Sequence, residues 1–204
     1  MGICRALCFT FCLILIAGID SIAQLRSGTY SDGLNIVFNH NNKSLKGYYY
    51  AEGGYDEKTQ RALFSCGFYF LSTPVSSTTY NLKTFWPGDK SADTILGTLV
   101  LIDSSSFNIK LNEEHGGCWN VFHFADSLVK FELSEKKNWM DIRYVIEDKI
   151  YFRAAADEKQ IQQAYLVKND IVYIEKQIKD WVFCSYIGTE KNTKGWLKLS
   201  ELNP

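Results

Sequence analysis

A chain of 204 residues with a formal net charge of −1 at pH 7 has room for two domains or one large β domain, and it lacks the basic stripe that phosphate neutralisation requires. That balance argues against a nucleic-acid partner. Aromatic residues make up 15 % of the chain, with 12 Tyr and 13 Phe against 2 Met and 3 Pro, a composition suited to a sheet-rich fold.

The chain opens with a short basic segment to Arg5, then a mostly apolar run from Leu7 to Ile19, then Ser21-Ile22-Ala23. Small residues at the two positions that define cleavage predict a secretory signal peptide over residues 1–23. The apolar run falls short of the roughly 20 residues that a spanning helix needs, and no second run of that kind follows. The remaining chain is therefore expected to be exported, periplasmic or extracellular, with no membrane insertion after signal removal. Cys12 follows Thr10-Phe11, and the bulk of Phe11 disfavours a lipid-modified cysteine there.

From Gly28 to about Val145 the sequence predicts short strands separated by turn residues. They cover Asn35–Asn39, Leu45–Ala51, Ala62–Leu71, Tyr80–Phe85, Thr94–Ile102, Ser106–Leu111, Cys118–Phe124, Leu128–Leu133 and Met140–Ile146. Gly47, inside the second of these, marks a bulge or a close approach. No stretch sustains a helical period over twelve positions. The expected fold class is all-β: an antiparallel β-barrel or sandwich over residues 25–148, followed by a second, smaller β domain over 149–204. No Gly-, Ser- or Pro-rich linker separates them near Glu147-Asp148-Lys149, so the two are expected to touch.

The last third reads as short β-branched and aromatic runs between charged turns. The segments are Ala164-Tyr-Leu-Val-Lys-Asn-Asp-Ile-Val-Tyr-Ile-Glu, Asp180-Trp-Val-Phe-Cys-Ser-Tyr and Lys194-Gly-Trp-Leu-Lys-Leu-Ser-Glu-Leu. This grammar of a lysine-bearing turn, a Trp-x-Phe-x-x-Tyr strand and a closing Gly-Trp-Leu resembles the bacterial SH3-like domain. The resemblance covers the C-terminal third only. It implies a small five-stranded barrel that binds a peptide or glycopeptide through aromatic ridges, with Asp157 to Ala164 in its long first loop. Tyr151, Tyr165, Trp181 and Tyr186 are the candidate binding residues, whereas Trp196 is expected mainly in the core. The partner implied is a cell-envelope protein or a peptidoglycan fragment.

With the signal removed, Cys66, Cys118 and Cys184 remain, and export permits a disulfide. Cys184 falls within the strand that resembles the SH3-like domain, while Cys66 and Cys118 share the N-terminal region. A Cys66–Cys118 bridge is therefore expected, with Cys184 as a small apolar residue.

Gly116-Gly117-Cys118-Trp119 echoes the nucleophile segment of papain-like proteases. Such a thiol needs an imidazole neighbour, which that family supplies far downstream, and no His follows His123. His115, Cys118 and His123 are of the right type for zinc. In a Cys118–Phe124 strand, however, Cys118 and His123 point to opposite faces. Neither motif carries a catalytic or metal assignment, and no cofactor is expected. Paired carboxylates sit mostly in predicted turns, without the set separation that glycosidase chemistry requires.

The function expected is that of an exported, non-enzymatic binding protein of the bacterial cell envelope, including an inhibitor or immunity protein of a wall-degrading enzyme. The alternatives are a cell-wall hydrolase targeted by its SH3-like domain, and a carrier of a small apolar ligand.

Overall fold

The computed structural model describes residues 25–88, 93–188 and 191–203; the expected signal peptide at 1–23 lies outside them. The fold is all-β. Eight strands form a closed antiparallel barrel: β1 (Gly28–Tyr30), β2 (Leu34–Asn39), β3 (Ser44–Tyr55), β4 (Ala62–Pro74), β5 (Thr79–Phe85), β6 (Ile95–Leu101), β7 (Ser106–Leu111) and β8 (Val129–Lys136). Each strand pairs with the next, and β1 returns to β8 with a register shift between Thr29 and Tyr30. Closure leaves this sheet without free edges.

The period-2 pattern sends one set of side chains inward. Leu34, Ile36 and Phe38 on β2 are buried, as are Phe68 and Phe70 on β4 and Phe107, Ile109 and Leu111 on β7. The interior is occupied by rings in contact: Tyr49 lies 4.9 Å from Phe124, Phe68 5.1 Å from Phe124, and Tyr30 4.9 Å from Phe107, centroid to centroid. Burying each such side chain stabilises by about 1.5–3 kcal/mol. Gly47 keeps regular register with Ile36 and Phe70. It is a close approach, not a bulge, because a Cβ there would meet the Phe70 ring at 2.2 Å.

A six-stranded sheet follows, built from β9 (Asp141–Tyr144), β10 (Lys149–Arg153), β11 (Ile161–Val167), β12 (Ile171–Ile178), β13 (Trp181–Ile187) and β14 (Asn192–Lys198). Its order is β11-β10-β14-β13-β12-β9. One face gathers its own core of Ile150, Phe152, Leu166, Val172, Ile174, Val182, Cys184 and Leu197. Strand β9, expected to end the N-terminal domain, pairs instead with β12, Tyr173 opposite Ile142. Of Asp157 to Ala164, expected as a long first loop, only residues 157–160 form an irregular connection, and Ile161 already begins β11.

The barrel and the sheet meet over a third apolar cluster. Val37 and Tyr69 point outward from the barrel and are buried against Trp139, Ile142, Ile171 and Tyr173. Trp139 stacks on Tyr173 at 4.2 Å, and Lys46 on β3 pairs with Asp141 on β9 at 2.9 Å. Contact across a short connection follows from this packing. Among the described residues no helix is long and apolar enough to cross a membrane.

Candidate functional site

Alternation along β13 buries Val182 and Cys184 and turns Trp181 and Phe183 to the opposite face. On β14, Gly195 and Leu197 point to the core and Trp196 points away. On β10, Ile150 and Phe152 are buried while Tyr151 is exposed and Arg153 is half-buried. Register then sets Phe183, Trp196 and Arg153 abreast on three neighbouring strands. The outer face of the sheet is an aromatic row with cations interleaved.

The distances are those of ring–ring and cation–ring contact. Phe183 and Trp196 have centroids 5.5 Å apart. The Arg153 guanidinium lies 5.2 Å from the Trp181 ring, Lys198 Nζ 5.8 Å from the same ring, and Lys176 Nζ 5.9 Å from Trp196. Glu201 fixes Arg153 through two hydrogen bonds of 2.9 Å, one from each terminal nitrogen. Glu201 Oε2 also accepts the Lys198 backbone N–H at 2.8 Å, so one carboxylate fixes the Arg153 guanidinium and the backbone of Lys198 beside Trp181. Lys194 donates to Glu175 at 2.7 Å and Lys198 to Glu158. Beside Trp181 lies an open cleft of about 660 Å³, lined by Arg143, Glu158, Asp180, Lys198 and Leu202 among others.

The four sequence-selected residues do not form one site. Tyr151 and Tyr165 are cross-strand partners 6.1 Å apart, with Lys149 Nζ 4.0 Å from the Tyr165 ring centroid. Trp181 lies further along the same face, at the cleft. Tyr186 lies elsewhere, packed partly into the sheet core and bordering a smaller cleft at the barrel junction. Trp196, expected in the core, is half-exposed because Gly195 and Leu197 take the inward positions. At Gly195 a Cβ would meet the Phe152 side chain at 3.0 Å. Phe183, Trp196 and Arg153 were missing from the sequence-derived set, although strand alternation placed Phe183 on the same face as Trp181.

The segment Cys118–Phe124, predicted as a strand, is a 3₁₀ turn over Cys118–Asn120 and an irregular run. Gly117, at φ 85°, starts the turn, a left-handed conformation that glycine adopts without cost. Cys118 is bonded to Cys66, with a Cα–Cα distance of 4.4 Å, so its sulfur is neither nucleophile nor metal ligand. His115 stacks on Phe68 at 5.0 Å, and its Nε2 lies 2.7 Å from Thr84 Oγ1. Thr84 donates its own proton to the Ile95 carbonyl at 2.8 Å. With its proton on that carbonyl, Thr84 Oγ1 offers His115 Nε2 its lone pairs. His123 faces Asp126 at 3.5 Å on the surface. Among the described residues no group of three His, Cys, Asp or Glu side chains is placed to hold a metal ion.

No family model matches the chain, and no curated protein or solved structure matches it either.

Proposed function

We propose that this is an exported, non-enzymatic binding protein of the bacterial cell envelope, whose C-terminal sheet is an SH3-like domain that recognises a wall glycopeptide. The observation that carries the proposal is the outer row of Trp181, Phe183 and Trp196 with Arg153, Lys176 and Lys198 set among the rings. Aromatic faces offer sugar rings a flat apolar platform at little entropic cost. Arg153 and Lys198 are already paired with Glu201 and Glu158, so Lys176, set over the Trp196 ring, is the cation offered to a carboxylate of a peptide stem. The neighbouring cleft has the size of a small-ligand site, since such sites span ~300–1,000 Å³.

Other features favour binding over the alternatives. The barrel interior is filled by its own rings, which disfavours an apolar-ligand carrier. The sulfur of Cys118 is held in a disulfide, which disfavours a thiol hydrolase. Within the binding reading itself, the loop around His115 is held against the barrel by that bridge and by Phe68 and Thr84, which disfavours an inhibitor that inserts this loop.

A protein partner has its own support at the outer strand β11, where Ile161, Tyr165 and Val167 are 63 %, 54 % and 44 % exposed. An extended segment added to that edge would find both backbone groups and apolar side chains.

Co-sedimentation with insoluble peptidoglycan tests the proposal. The wild-type protein should be retained, and Trp181→Ala should be released while keeping its far-UV spectrum and melting behaviour. Equal retention of the two proteins would contradict it.

A further inference from the structure

Where the barrel meets the sheet, β3 and the turn between β11 and β12 enclose a second cleft of about 290 Å³. Its lining includes Tyr48 and Tyr50 from the barrel, Tyr173 and Tyr186 from the sheet, and Asn169 and Asp170 from the turn. Tyr48 and Tyr50 are two residues apart on one strand face, and their rings lie nearly parallel at 6.4 Å. Tyr173 is buried at 3 % exposure.

Asp170 is the only carboxylate among these six. Its Oδ2 accepts the Val167 backbone N–H at 2.8 Å, and the Tyr186 hydroxyl faces it. No Lys, Arg or His of the described residues forms an ion pair with it. Burial, the largest influence on this group, pushes its pKa above the ordinary carboxylate value. A half-buried carboxylate that has no countercation and is surrounded by tyrosines is destabilising for the free protein. It is complementary to a bound cation.

We infer that this cleft is a second binding site, independent of the outer aromatic row, for a small molecule bearing a primary ammonium group held between the tyrosine rings and the Asp170 carboxylate. The class follows from the donor–acceptor balance. Asp170 offers the cleft acceptor oxygens only, while the Asn169 Oδ1 beside it is closed off against Gly88. A primary ammonium supplies three N–H donors, whereas a quaternary ammonium supplies none. Aromatic faces attract the positive charge in either case, so the acceptors decide between them. The volume lies at the lower end of the ~300–1,000 Å³ seen for ligand sites, which limits the occupant to a small amine or one amino-bearing residue of a larger chain.

The test is a backbone amide NMR titration of the full-length protein with n-butylammonium, run beside n-butanol, butyrate and tetramethylammonium. Butylammonium should give saturable shifts confined to Tyr48, Tyr50, Asn169, Asp170 and Tyr186. Asp170→Asn should weaken it by roughly tenfold or more, the loss of one charge-assisted hydrogen bond. Tyr50→Ala, at the exposed rim, should weaken it a few-fold without touching the turn. Butanol or butyrate matching butylammonium would overturn the inference. So would tetramethylammonium binding where butylammonium does not, or unchanged affinity in both variants.

Discussion

The Tyr69 hydroxyl, pointing outward from the barrel wall, donates to the Ile142 carbonyl at 2.8 Å. Ile142 belongs to β9, the last strand of the second sheet, and this bond covers the outer edge of that strand together with Asn203, which exchanges hydrogen bonds with the Tyr144 backbone. Tyr69 and Ile142 are fully buried. Tyr69→Phe leaves that carbonyl buried without its partner and should cost about 1–3 kcal/mol, read as a lower urea midpoint. An unchanged midpoint would show that the junction does not depend on this contact.

The Cys66–Cys118 bridge closes a sequence separation of 52 residues, and chain-entropy arguments for a loop of that size give about 4 kcal/mol. Replacing both cysteines with serine should lower stability by about 2–4 kcal/mol. Cys184 is buried, its thiol directed at the Gly195 carbonyl at 3.7 Å and its acidity suppressed by burial. In the signal-free chain, thiol titration without reductant should therefore find no reactive group in the folded state and one after denaturation. Three after denaturation would show that the bridge is absent.

Asp170 should give the protein an unusual pH dependence. Burial raises its folded-state pKa, so between the ordinary carboxylate value and the raised one the folded state holds a proton that the unfolded chain has already released. Stability from this group is present below the ordinary carboxylate value and is lost as pH rises through the raised one. Asp170→Asn removes that loss. The variant should melt higher than wild type at neutral pH, and the two curves should converge on acidification. A lower melting temperature at neutrality would contradict the assignment.

Glu201 should act on binding through Arg153. The pair is 12 % and 15 % exposed at the side chains, and Glu201 also holds the Lys198 backbone. Glu201→Gln should cost about 1–2 kcal/mol of stability and weaken glycopeptide binding, whereas Glu158→Gln, at an exposed pair, should leave stability within about 0.5 kcal/mol. Identical stability losses in the two variants would remove Glu201's special role.

Much of the fold was legible because alternation reports strand and inward face together. This worked for Trp181–Cys184; Asn35–Asn39 was legible as a strand, but Val37 is buried on the outward face as well. It failed where another constraint sets the backbone. Cys118–Phe124 alternates like a strand, yet Gly117 and the disulfide hold it in a turn. Asp141–Tyr144 reads as a strand, but alternation does not name its partner, and Ile142 pairs across to Tyr173. Trp196 was expected in the core from its place after Gly195 in the SH3-like pattern; Gly195 and Leu197 hold the inward positions instead. The tyrosine cleft was invisible, since Tyr48 and Asp170 meet only after barrel and sheet have packed.

The central proposal is that the outer aromatic row is the recognition surface. Titrating a soluble disaccharide-peptide wall fragment into the protein, with tryptophan fluorescence as the signal, tests it most directly. Wild type should show a saturable change, and the double variant Trp181→Ala/Trp196→Ala, read by calorimetry, should bind at least about tenfold more weakly. Equal affinity of the two proteins, or no binding by wild type, would contradict it.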